Sequence, residues 1–167
     1  MKALIFFLSF LWLSCLSAQE KIERELRIDY EEVPKSALDF VEKLGFDRKV
    51  RWYKEYQKNG FSFEAKSKED GRLWSVEFSA QGALEDVEIK IKQRNLASDL
   101  RAQISSHLKE EYGKYRIHKV QLQLKGEDEI LLDFLDDLEW DEEAPGIERA
   151  FELVVSAKVD GRFQMFE

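Results

Sequence analysis

Ten of the seventeen residues from 127 to 143 are carboxylates, and none is Lys or Arg. Oxygen ligands at that density suggest a hard cation such as calcium, with Asp136-Asp137 and Asp141-Glu142-Glu143 as its ligands. A calcium loop needs ligands at alternating positions and a Gly at the sharp turn. This stretch has neither. Ile130, Leu131, Phe134, Leu135 and Leu138 recur among the acids at helical spacing. The spacing predicts an acidic amphipathic helix laid on a sheet or its edge, ended by Pro145-Gly146. Its polar face is then solvated, or docks to a basic partner.

Other chemistry-bearing residues are sparse. The two histidines, His107 and His118, are too far apart for a helical metal pair, and no acid spacing completes a zinc site around them. His118 is in phase with Val120 and Leu122, which directs it toward the core side of a strand. The sequence holds no Gly-x-Ser-x-Gly elbow, phosphate loop or dinucleotide fingerprint. Carboxylates are so numerous that no catalytic pair stands out. The expectation is a chain that is not an enzyme, with no catalytic residue, no cofactor and no metal ligand.

The single cysteine, Cys15, lies in a segment with its own meaning. Met1-Lys2 gives a short positive start, Ala3 to Leu13 is an apolar run broken only by Ser9, and Leu16-Ser17-Ala18 precedes the polar Gln19-Glu20. That layout is a secretory signal peptide, expected over residues 1–18. Cleavage after Ala18 leaves a chain from Gln19 without a cysteine, so its core must hold it without disulfides. The rival reading is a lipoprotein signal with Cys15 as the lipidated residue. Leu13-Ser14 suits it and Trp12 does not. The expected location is periplasmic or secreted, with membrane contact only if Cys15 is lipidated.

Without Lys2, 25 basic residues face 34 acidic ones, a formal charge near −9. Phosphate contacts need clustered Lys and Arg, so nucleic-acid binding is disfavoured. An anionic membrane surface is disfavoured for the same reason.

The elements that carry these residues read as a pattern stated twice. Residues 19–32 form a charged lead-in. Val33-Pro34-Lys35-Ser36 starts a helix over about residues 34–44. The period then changes to two. Val50, Trp52 and Tyr56 share one face of a strand, and Phe61 and Phe63 follow after Asn59-Gly60. Trp74, Val76 and Phe78 follow Asp70-Gly71, and Val87, Ile89 and Ile91 follow Gln81-Gly82. A second helix carries Leu96, Leu100, Ile104, Leu108 and Tyr112. Strands follow around Val120, Leu122 and Leu124, around Phe151, and after Asp160-Gly161. The expected fold class is α+β, two tandem units of a helix plus an antiparallel four-strand meander. They span 33–92 and 93–167, the second with an acidic insertion at 127–149 and a shortened end that leaves one edge open. Trp52, Trp74, Phe61, Phe63, Phe78 and Phe151 are expected in the core. The opposite face carries Arg51, Tyr53, Glu55, Ser62, Glu64, Ser75, Glu77 and Ser79. Of these, Arg51 and Tyr53 are the types that favour protein binding.

Val33-Pro34 opening a short helix, Val50-Arg51-Trp52, and the run Trp74-Ser75-Val76-Glu77-Phe78-Ser79-Ala80-Gln81-Gly82 resemble the PepSY-like, β-lactamase-inhibitor-like family of exported bacterial proteins. The resemblance covers residues 33–91 well and 96–167 more weakly. It implies a non-enzymatic exported protein that binds another protein across a sheet face. The expected function is therefore an exported binding or regulatory module with a protein or peptide partner. The alternative is a cation-responsive envelope protein using residues 127–143.

Overall fold

The computed structural model describes residues 24–58, 60–136 and 144–166. The expected export segment with Cys15, the turn residue Asn59, and the acidic run 137–143 with Leu138 lie outside the described residues.

Period-two alternation builds eight strands: β1 (Arg24–Ile28), β2 (Arg51–Gln57), β3 (Gly60–Glu69), β4 (Arg72–Phe78), β5 (Leu84–Ile91), β6 (Tyr115–Lys125), β7 (Glu148–Val159) and β8 (Arg162–Phe166). Three helices punctuate them: α1 (Lys35–Lys43) before β2, α2 (Ser98–Tyr112) before β6 and α3 (Asp128–Asp136) before β7. The strands form one antiparallel sheet in chain order, β1 to β8.

This corrects the expected tandem α+β architecture. The chain is mainly sheet, and the sheet is single. β5 and β6, the strands at which two separate units would have ended and begun, pair through Val87↔Leu124, Ile89↔Leu122 and Ile91↔Val120. That pairing removes two exposed edges, each a row of unmet backbone donors and acceptors. It also merges the cores. Phe40 and Val41 of α1, Trp52, Val76 and Phe78 share one buried cluster with Leu122, Leu124 and the α3 residues Leu131 and Leu135. A lone helix on four strands buries too little apolar surface to stand by itself. The lead-in contributes a fifth strand before α2, since β1 pairs with β2 from Arg24↔Tyr56 to Ile28↔Trp52.

Local chemistry sets the corners. Asp70-Gly71 and Asp160-Gly161 each have both φ values positive, the requirement of the tight turn that suits a twisted hairpin. Gly82 is constrained by space as well as by its φ of 78°. A Cβ there would lie 2.5 Å from Pro34 Cβ and from Ser36 Oγ. The gap lets the Ser36 hydroxyl donate to the Gly82 carbonyl at 2.7 Å, which ties the start of α1 to the β4–β5 turn.

The core aromatics fall as their period predicts. Trp52, Phe63 and Phe78 are buried, and Phe61, Trp74 and Phe151 pack against them. α3 is the acidic amphipathic helix, with Leu131 and Leu135 inward and Asp128, Glu129, Asp133 and Asp136 exposed. α2 lies toward the other end of the sheet, where Tyr112 stacks on Phe166 at 5.3 Å between ring centroids.

Candidate functional site

The core apolar residues of the strands point toward the helices, so the alternate residues meet on the other side of the sheet. No described element covers that side. Cross-strand neighbours on one face stand about 4.5–5.5 Å apart, within reach of long side chains. Glu, Lys and Gln from adjacent strands therefore crowd one another and shield one another from water, with no apolar lid among the described residues. Glu55, Glu64, Asp86, Glu88 and Gln121 are all buried there, at 4–7% exposure.

Between them lies a hollow of about 360 Å³. Its lining includes six carboxylates, Glu25, Glu55, Glu64, Glu77, Glu88 and Glu152, against three lysines, Lys66, Lys90 and Lys119. The acids gather into two groups. Glu25, Glu55 and Glu64 place one carboxylate oxygen each within 4.8 Å of the others. Lys66 serves this group, with Nζ 2.8 Å from Glu25 and 2.7 Å from Glu64. Burial works to lower the Lys66 pKa, but the hydrogen bonds and charges of Glu64 and Glu25 outweigh it and raise the ammonium above its ordinary range. Ser75 Oγ adds a hydrogen bond to Glu64 at 2.5 Å.

Glu77, Asp86 and Glu88 form the second group, again within 4.8 Å. Glu77 and Asp86 face each other across β4 and β5, and Glu88 follows two residues along the same face. Gln121 Nε2 donates to Glu88 Oε2, and Gln123 Nε2 donates to Asp86 Oδ2 at 3.1 Å. Burial pushes the Glu88 carboxyl up to about 8, helped by the charge and hydrogen bond of Glu152 and the charges of Glu77 and Asp86. At neutral pH it is mostly protonated. Lys119 Nζ meets Glu152 at 3.3 Å, and Lys125 Nζ comes within 3.7 Å of Asp86.

Arg51 and Tyr53, the expected partner-binding residues, sit on this face beside the hollow and are not among the residues that line it. Arg51 pairs in register with Lys66, and Tyr53 with Glu64. Lys66 Nζ stands 5.1 Å from the centre of the Tyr53 ring. Glu55, Ser62, Glu64, Ser75 and Glu77 share the face, as their alternation with the buried aromatics required. Lys66, Asp86, Glu88, Gln121 and Glu152 are functional candidates that the reading of the sequence missed. The available signal was the same alternation, carried on into β5, β6 and β7.

The histidines part from each other. His107 Nε2 is 3.1 Å from Glu111 on exposed α2. His118 is exposed and hydrogen-bonded to Ser156 Oγ at 2.8 Å, not turned to the core. A β-bulge between Ile117 and Lys119 inserts one residue and reverses its side. On α3, the described acids do not converge; both three-carboxylate groups among the described residues lie on the open sheet face. No helix among the described residues is long and apolar enough to cross a membrane.

Comparison with family models, curated proteins and solved structures gives no match to this chain.

Proposed function

We propose that this chain is an exported, non-catalytic binding module that takes a basic protein or peptide segment on the open face of its sheet. The observation that carries this reading is the hollow itself, where six carboxylates face three lysines on a side that no described element covers. Acids mounted on hydrogen-bonded strands are fixed in place, so a Lys or Arg side chain arriving there meets preorganised acceptors. Tyr53 and Arg51 at the border supply side chains of the types that anchor interfaces. The resemblance to exported inhibitor-like proteins, argued from the Val50-Arg51-Trp52 and Trp74–Gly82 segments, supports the same face and the same class of partner.

Fluorescence anisotropy tests the reading with three labelled peptides of equal length, one Lys/Arg-rich, one neutral and one acidic. The basic peptide binds, its affinity falls with added salt, and Glu152→Gln weakens it. Equal binding of the basic and acidic peptides, or no binding of the basic one at about 1 mM, the weak end of specific recognition, overturns the proposal.

A further inference from the structure

Charge on the open face is sorted along the strands. On β3 the residues of that face run Glu64, Lys66, Lys68, and on β5 and just past it they run Asp86, Glu88, Lys90, Lys92. β3 and β5 point the same way, since each is antiparallel to β4 between them. β4 runs back from Leu73 through Ser75 to Glu77, so its acid falls at the acidic end, opposite Glu64 on one side and Asp86 on the other. β2 repeats the order, with Glu55 toward the acidic end and Arg51 opposite Lys66. Opposite charges facing across strands stabilise a sheet, and like charges weaken it. The row Glu64, Glu77, Asp86 does the second, and a local rule broken without a gain in folding is expected at functional positions.

On the basic side of the acidic hollow lies a second hollow, of about 510 Å³. Lys68, Arg72, Lys90, Lys92 and Arg94 line it against one acid among the described residues, Asp70. The whole chain has a net charge of −8, so five cations around one hollow run against its composition. Leu73 and Lys90 line both hollows, which makes the two continuous. Leu73 is 51% exposed there. Resting on the proposed binding of a basic segment, we infer that the same segment carries acidic residues about four positions away, and that these seat in the second hollow. From Glu88 to Lys92 is four residues of extended chain, about 13 Å, which is the spacing of side chains i and i+4 in a peptide laid out as a strand. The basic block meets the fixed carboxylates, the acidic block meets the cations, and Leu73 gives an apolar contact between them. Turned end for end, a second copy of this chain has a matching pattern too. Two copies each of net charge −8 repel one another, which favours the peptide.

Fluorescence anisotropy at one fixed salt concentration tests it with three labelled peptides of equal length. One has Lys and Arg in a block at one end and Asp and Glu in a block at the other. The second has the same composition with the signs alternating, and the third is the block peptide with its acids replaced by Gln. The block peptide binds about three- to tenfold tighter than the Gln peptide, the gain that a few exposed ion pairs supply, and tighter than the alternating one. A paired Lys68→Gln, Lys92→Gln variant, changed at two exposed positions, loses that gain and binds the Gln peptide at least as well as the native chain does. Equal affinity of the block peptide and either other peptide, or a gain that survives in the variant, overturns the inference and leaves the basic-segment reading standing. Failure of all three peptides to bind at about 1 mM overturns both. A native chain that sediments as a dimer at the assay concentration, with a variant that sediments as a monomer, makes a second copy the occupant and overturns the peptide.

Discussion

Glu88 makes the stability of this protein depend on pH in a direction opposite to that of most carboxylates. Its folded-state pKa of about 8 lies above the ordinary value of 4.5 that the unfolded chain recovers. Below 4.5 both states hold the proton, and the group contributes nothing. Between 4.5 and about 8 the unfolded state releases its proton first, so stability falls as pH rises, and above about 8 it levels off. The full separation corresponds to on the order of 5 kcal/mol. Part of the shift comes from the neighbouring carboxylates, Glu152 first, so Glu88 accounts for about 2–4 kcal/mol of it. Glu88→Gln has the shape of the protonated acid: its carbonyl accepts from Gln121 and its amide donates toward Glu152. The variant therefore matches the native chain near pH 4.5 and exceeds it by about 2–4 kcal/mol near pH 8.5. For a chain of this length that is a melting difference of about 5–15 °C. Thermal unfolding followed by circular dichroism, in chelator and at several pH values for both proteins, reads it directly. Other titrating groups largely cancel in the difference. A difference that stays flat between pH 5 and 9, or that favours the native chain at high pH, refutes the assignment of a buried, protonated Glu88.

Four further substitutions probe the frame around the site. Gly82→Ala puts a methyl 2.5 Å from Pro34 Cβ and Ser36 Oγ, for a loss of about 2–4 kcal/mol from strain and overpacking. Gly71→Ala has a similar φ of 77° but open space around it, so urea titration shows only about 1–2 kcal/mol. Equal losses at the two positions would remove the α1 contact from the explanation. Leu131→Ala, at a fully buried position of α3, costs about 2–5 kcal/mol in the same assay; a loss under about 1 kcal/mol would detach α3 from the core. Lys66→Met leaves Glu25 and Glu64 without their shared cation. The side chain is 36% exposed, so the cost is about 1–3 kcal/mol, less than for a fully buried pair. Unchanged stability near pH 7 would show that the first carboxylate group does not need its lysine.

What the sequence disclosed followed from period and type. Trp52, Val76, Phe78, Ile89 and Leu122 advertise strands with one apolar face, and Leu131 and Leu135 advertise a helix with one apolar stripe. What it hid depended on relations between strands. Nothing in Val87-Glu88-Ile89 says that Leu124 and Leu122 lie opposite, so one sheet reads as two. β1 offers only Leu26 and Ile28 among charges, too little alternation to announce a strand. The bulge beside His118 has no local signature, so phase counting put the ring on the wrong side. The carboxylate groups were hidden for a different reason. Alternation marks Glu64 and Glu88 as residues of the helix-free face, and a polar face suggests water. Their burial arises only when neighbouring strands bring their long side chains together.

The order of the sheet carries a consequence for how the chain assembles. Every inner strand pairs with the strand before it and the strand after it along the chain, so each closes the shortest loop available to it. The three longest excursions between paired strands, before β2, β6 and β7, contain helices, which draw their ends together. Loop-closure entropy is thus met in small steps, and such a topology favours rapid folding for a sheet of this width. A chain delivered N-terminus first can add each new strand to a template already in place. The growing edge is the vulnerable point: until the next strand arrives, it presents the bare ladder on which foreign strands add.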